Sequence, residues 1–268
     1  MSELPTIAFI GGGNMATAIL GGLRRGGAPA ERFIVVEPHA PQRERLQAEF
    51  GITALAAAGP ALSAAALVVW AVKPQMFPQA VAPCAPFVAD ALQLSIMAGT
   101  RSDALVAATG SARVVRAMPN TPALIGQGIA GLVARPEVDA AGRALVEAVL
   151  APTGRTLWLQ READLDAVTA LSGSGPAYVF YFIEAMMQAG TDMGLAPAQA
   201  RELAQATFAG AAALAAQSDE TPEVLRERVT SKGGTTHAAL TSLEADGVKA
   251  AFVRALHAAR HRAEELGR

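Results

Sequence analysis

Two glycine-bearing stretches of this 268-residue sequence carry residue types suited to holding anionic groups. The first, GGGNMA, runs from Gly11 to Ala16 behind the apolar segment Thr6–Ile10. Gly11, Gly13 and Ala16 fill the small positions of G-x-G-x-x-G/A, a pattern with a physical basis. One small residue permits a tight turn, one lets a pyrophosphate approach the backbone, and one lets helix and strand pack closely. The helix that follows offers unpaired N–H groups and the positive end of its dipole to phosphates. The strand–turn–helix setting favours a dinucleotide site over a turn that binds nothing. The second stretch, SKGGTT, runs from Ser231 to Thr236 and opens a predicted helix. Its N–H groups suit a carboxylate, Gly233 and Gly234 allow close approach, and Thr235 or Thr236 adds a hydroxyl. Plain N-capping by Ser231 or Thr235 competes with that reading. Capping alone has no need of two consecutive glycines, which cost helix stability.

Other candidates are weaker. Glu37 ends the second predicted strand, where a carboxylate accepts from an adenosine ribose 2′-OH and repels a 2′-phosphate. His39, Arg43 and Arg45 follow it closely and suit a phosphate, although the two arginines read equally as a solvated helix face, so NAD and NADP both stay open. His237 adjoins the threonines and reads as a solvated or packed histidine. His257 and His261 are spaced i,i+4 on the last predicted helix, with Glu264 nearby, and read as a surface pair, so no metal is expected. Cys84 has no histidine or second cysteine near it and reads as a buried or incidental thiol, not a nucleophile. No His–Asp dyad or Tyr-x-x-x-Lys pattern of the kind that protonates a ketone oxygen stands out.

The elements that must position these residues follow from hydrophobic patterning. Short apolar, β-branched runs at Thr6–Ile10, Arg32–Glu37, Ala66–Val72, Ala91–Met97 and Ala112–Met118 predict buried strands. Helices are predicted between them over Asn14–Arg25, Pro41–Phe50 and Arg101–Ala108. Two further strands, Gly126–Ala134 and Gly154–Leu159, flank a helix near Val138–Leu150. Alternation of this kind predicts an α/β fold with right-handed crossovers and a mostly parallel sheet. After residue 160 the strand signals stop and the text turns Ala-rich and helical. We therefore expect one domain over 1–160 and a helical one over 161–268. The second half is long and apolar for one small bundle, which predicts oligomerisation.

Composition narrows the classes. Hydrophobic residues make up 51% of the chain and the formal net charge is −2; mean hydropathy is +0.29. With no Lys/Arg run, nucleic acid and anionic membrane surfaces are not expected as partners. One cysteine precludes an internal disulfide. Neither a signal peptide in MSELPT nor a membrane-length apolar run is evident, so a cytoplasmic protein is expected.

Four further stretches follow GGGNMA in order: AVKPQ (71–75), VVRAMPNTPALIGQG (114–128), LSGSGPAYVF (171–180) and VTSKGGTTHAALTSLE (229–244). Together they closely resemble the pyrroline-5-carboxylate reductases, over nearly the whole chain. The SGSGPAY and GGTT pieces are specific to that family; GxGxxA is shared by many dehydrogenases. The resemblance implies an N-terminal Rossmann-like doubly wound domain for NADP or NAD in reduced form, followed by an all-helical dimerisation domain. Homodimers are implied, assembling in many members into decamers, with the active site between nicotinamide and GGTT loop at the dimer interface. The implied reaction is hydride transfer to the imine carbon of 1-pyrroline-5-carboxylate, giving L-proline. Carried over by motif, Gly11, Gly12, Gly13, Asn14, Met15, Ala16 and Glu37 contact the cofactor. Ala71, Val72, Lys73, Pro74, Ala98, Gly99 and Asn120 line its nicotinamide half. Substrate contacts fall on Ser231, Gly233, Gly234, Thr235 and Thr236, with Glu162 as a further candidate and Thr236 the partner of the ring nitrogen. Lys232, where many members have proline, and Arg228, where a short polar residue is common, depart from the pattern. Two other functions remain alternatives. A reductase of another imine or a β-hydroxy acid would ordinarily carry a lysine on the helix after SGSGP, which here offers Glu184 and Gln188. A non-catalytic nucleotide sensor would have no use for an intact SKGGTT loop.

Overall fold

The computed structural model describes residues 4–267. Seven strands form one sheet in the order β2-β1-β3-β4-β5-β6-β7. They are β1 (Ile7–Ile10), β2 (Phe33–Val36), β3 (Leu67–Trp70), β4 (Leu92–Ser95), β5 (Val114–Met118), β6 (Gly128–Ala134) and β7 (Gly154–Trp158). Neighbours pair in parallel except β5 and β6, which run antiparallel with Val115 opposite Ala134. All seven predicted strands are present.

The central strands read as unbroken apolar runs because both sheet faces are covered. Along β1, Ile7 and Phe9 join one hydrophobic cluster with Ile19, Leu46, Leu94 and Val149. Ala8 and Ile10 point the other way, into a second cluster with Val68, Trp70, Val88 and Leu105. Period-2 alternation sends successive side chains to opposite faces, so a doubly wound sheet demands apolar residues at every position. The buried amide of Gln93 in β4 is satisfied: Trp70 Nε1 donates to Gln93 Oε1 (2.9 Å), and Gln93 Nε2 donates to the carbonyls of Val88 and Ala91.

The covering helices are α1 (Asn14–Arg25), α2 (Ala40–Phe50), the short α3 (Phe77–Val81) and α4 (Ala85–Val88), α5 (Ser102–Thr109) and α6 (Ala140–Leu150). Asp139 caps α6, its Oδ1 accepting from Gly142 N–H at 2.7 Å. From Asp164 onward the chain is helical: α7 (Asp164–Val168), a π-helical turn over Thr169–Gly173, α8 (Gly175–Asp192), α9 (Pro197–Gln217), α10 (Pro222–Arg228), α11 (Thr235–Ala245) and α12 (Val248–Leu266).

The chain divides into two compact units, one running through Ser174 and rejoined by the segment from Ala259, the other spanning Gly175–Ala258. In the second unit α8 and α9 pack closely at small residues. A Cβ on Gly190 would lie 2.9 Å from that of Ala200. Phe252 of α12 meets Tyr178 and Phe182 of α8 edge-on, with ring centroids 5.7 and 5.6 Å away. Among the described residues no helix is long and apolar enough to cross a membrane.

Candidate active site

The glycine turn sits at the carboxyl end of β1, between β2 and β3, where the chain winds to opposite sides of the sheet. Open α/β sheets bind ligands at such a switch point. Gly11 has φ +96°, and a Cβ there would stand 2.7 Å from the carbonyl oxygen of Ala71. Only glycine meets both demands. Gly13, at the N-cap of α1, is exposed, and an added Cβ would find nothing within 4 Å. No side chain caps α1, so its first N–H groups face an open cradle. That arrangement fits a pyrophosphate.

The turn is braced from behind. Gly11 N–H donates to Val36 O (2.9 Å), and Gly12 N–H to Glu37 Oε2 (2.8 Å). Gly12 O accepts from Thr17 Oγ1 and from Gln42 Nε2. The other Glu37 oxygen accepts from His39 N–H at 2.8 Å. Gln42 escaped the sequence reading because it reaches Gly12 across 30 residues, with no local spacing to mark it.

The remaining nicotinamide-side candidates collect along the same carboxyl edge of the sheet. Ala71, Val72, Lys73 and Pro74 follow β3; Ala98 and Gly99 follow β4; Asn120 follows β5. Lys73 is exposed and its three neighbours are half-buried. Gly99 has φ +77°, and a Cβ would lie 2.8 Å from Leu266 O at the end of α12. Asn120 is engaged at both ends of its amide: Oδ1 accepts from Ile129 N–H (3.0 Å), and Nδ2 donates to Ser172 O (3.2 Å) in the π-helical turn.

Glu162 lies in an ionic cluster beneath the loop that follows β4. Its carboxylate accepts from Ser102 N–H (2.6 Å) and Ser102 Oγ (2.7 Å), and pairs with Arg116 at 2.8 Å. Arg101 bridges Asp166 at 2.8 Å alongside. Burial alone would raise the Glu162 pKa, but the bonds from Ser102 and Arg116 outweigh it and hold the carboxyl below its ordinary value. Burial drives Arg116 the other way, below the usual guanidinium value. Arg116, 4% exposed in the middle of β5, was the available signal: a charged residue inside an apolar strand demands a buried counter-charge. Its Nε has no hydrogen-bond partner.

In the second unit, α11 begins at Thr235 with Gly234 as N-cap and no side-chain cap, so capping by Ser231 or Thr235 is not observed. Gly233 takes φ +78°, Gly234 N–H donates to Ser231 O (3.0 Å), and a Cβ on Gly234 would meet Ser231 Oγ at 2.5 Å. Thr235 and Thr236 occupy the first helical turn, with Thr236 half-buried. Lys232 and His237 are exposed. Arg228 is paired with Glu220 across α10.

The other candidates settle simply. Burial pushes the Cys84 thiol up to about 11. His261 pairs with Glu265 at 3.2 Å. Among the described residues no group of three His, Cys, Asp or Glu side chains could hold a metal ion.

Comparison with known proteins accounts for both units. The family description "Pyrroline-5-carboxylate reductase dimerisation" matches residues 162–266, so the chain carries a dimerisation domain. "NADP oxidoreductase coenzyme F420-dependent" matches residues 6–99. The pyrroline-5-carboxylate reductase of Pseudomonas aeruginosa is 45% identical over 98% of this chain and 97% of its own length. That of Haemophilus influenzae is 41% identical over 97% of each. The solved reductase of Coxiella burnetii superposes with a TM-score of 0.92 at 34% identity, covering 98% of this chain and 99% of that one. A Plasmodium falciparum pyrroline carboxylate reductase solved with NADP bound gives 0.88 at 27% identity, covering 99% of each. With such identity sustained from end to end, the chain belongs to the pyrroline-5-carboxylate reductase family.

Proposed function

We propose that the protein reduces 1-pyrroline-5-carboxylate to L-proline with NAD(P)H, the last step of proline biosynthesis. The observation that carries this reading is the full-length identity of up to 45% with reductases of that name. The open cradle at Gly13 supports the cofactor assignment. Gly11 to Ala16 would hold the pyrophosphate, Glu37 the adenosine ribose, and Ala71 to Pro74, Ala98, Gly99 and Asn120 the nicotinamide half. The reduced nicotinamide, when bound, supplies a hydride to the imine carbon.

The chain's own task is modest. The uncapped start of α11, with Ser231, Gly233, Gly234 and Thr235, would hold the substrate carboxylate through backbone N–H groups and the helix dipole. Thr236 would hydrogen-bond the ring nitrogen and so favour the protonated, electrophilic imine. Glu162 enters the same proposal through the loop after β4, since both its oxygens are occupied by Ser102 and Arg116. We assign residues 1–160 to nucleotide binding and 161–268 to dimerisation and substrate binding. A homodimer, with further assembly to a decamer, and a cytoplasmic location complete the proposal. The apolar surface of α8 and α9 supports the dimer.

The test is direct. Purified protein with pyrroline-5-carboxylate should oxidise NADH or NADPH and yield proline; absence of turnover with either nucleotide overturns the reading. Thr236→Ala should lower kcat by roughly 100-fold or more, as loss of one hydrogen bond at a reacting atom does, and leave nucleotide affinity intact. An unchanged kcat removes Thr236 from the chemistry.

A further inference from the structure

We infer that Glu37 makes NADH, not NADPH, the preferred reductant of this enzyme. The inference rests on the dinucleotide reading of the Gly11–Ala16 turn. In the sequence His39, Arg43 and Arg45 compete with Glu37 for the adenosine end of the cofactor. The structure gives the two arginines other partners, leaves His39 exposed to solvent, and fixes the carboxylate.

Glu37 stands at the carboxyl end of β2, directly behind the cradle. One oxygen accepts from Gly12 N–H and the other from His39 N–H, each at 2.8 Å. The carboxylate is thus tied to the turn that takes the pyrophosphate and to the residue that opens α2. A side chain held at both oxygens does not swing aside at low cost, because each backbone N–H would lose a charge-assisted bond. The cofactor's adenosine ribose binds beside this position in such folds. A 2′-OH there donates to a carboxylate lone pair left over from these bonds. A 2′-phosphate brings a second anion against a fixed one.

The arginines are held by other partners. Arg43 turns its Nη1 back onto the carbonyls of Glu37 (3.0 Å) and Pro38 (2.7 Å). It braces the same loop instead of pointing from it. Arg45 is paired with Glu49 one helical turn on, at 2.7 Å. Gln42, the remaining long polar side chain at the start of α2, is committed to Gly12 O and Thr17 Oγ1.

Direct titration of the full-length protein with each nucleotide, followed by calorimetry, tests the inference without requiring turnover. NADH should bind about tenfold or more tightly than NADPH, as expected for one like-charge contact partly screened by solvent. Equal affinities, or tighter NADPH, overturn it. Glu37→Gln keeps an oxygen for Gly12 N–H and removes the charge, so the ratio should shift about fivefold or more toward NADPH; an unmoved ratio overturns the role of Glu37. Arg43→Ala should leave the ratio unchanged, whereas selective loss of NADPH binding would make Arg43 the phosphate reader and overturn the inference. Binding of neither nucleotide overturns it together with the dinucleotide reading. Proline formation is scored separately: tight NADH binding without turnover would remove the proposed reaction and leave the nucleotide preference standing.

Discussion

Gly11 illustrates how one residue can be required twice. Its φ of +96° is a region that L side chains rarely adopt, and the Ala71 carbonyl oxygen lies where a Cβ would go, 2.7 Å away. Gly11→Ala is expected to cost about 1–3 kcal/mol in urea denaturation, from backbone strain and the displaced β3 end. It should weaken nucleotide binding further than the stability loss alone explains. Wild-type affinity in the folded variant would show that the turn tolerates the shift. That glycine was legible in the sequence because the motif names the positions where small residues are needed. The hydrogen bonds of Glu37 were not, because they join residues 25 and 2 positions apart through a turn whose path the text does not state. Side-chain direction decides whether a nearby arginine reads a phosphate or a backbone carbonyl. Arg43 does the latter.

At the scale of elements, α5 starts where the loop after β4 ends, and its cap comes from far away. Glu162 receives both the N–H and the hydroxyl of Ser102, 60 residues upstream. It also neutralises Arg116, which β5 buries. The Glu162 carboxyl lies below its ordinary value in the folded protein, so its ionisation stabilises the fold above the unfolded-state pKa. That contribution is lost as pH falls through the folded value. Unfolding free energy measured from about pH 7 to pH 3 should therefore decline on acidification, and Glu162→Gln should flatten the decline while lowering stability at neutral pH. An identical pH slope in the variant would show that the cluster carries no linkage. Strand positions were legible element by element, since a doubly wound sheet writes its strands as continuous apolar runs. The short α3 and α4 were not, being five and four residues long and too short for a helical period to register.

For the whole molecule, the helices of the second unit leave large apolar side chains exposed. In α8, 18 residues long, Gly190 is the buried residue among those described; in α9, of 21 residues, Ala200 and Ala204 are. Phe180 and Tyr181 are 57% and 69% exposed. Surfaces of this kind mark association sites, in keeping with the dimerisation domain matched over residues 162–266. Replacing Phe180 and Tyr181 together by Ser should shift the protein toward monomer in sedimentation velocity. Retention of the parent's mass would place the interface elsewhere.

The sequence by itself determined the strand order of appearance, the glycine turn, the helical second half and the family. Each of these is written in local pattern: period, small residues at fixed spacing, and motifs read in order. Tertiary structure alone decided which charges are spent and which are presented. Arg43 is turned onto carbonyls, Glu162 is folded under α5, and Glu37 is fixed behind the phosphate cradle. Hydrogen bonds between distant residues depend on where the backbone brings them, and no spacing along the chain encodes that directly.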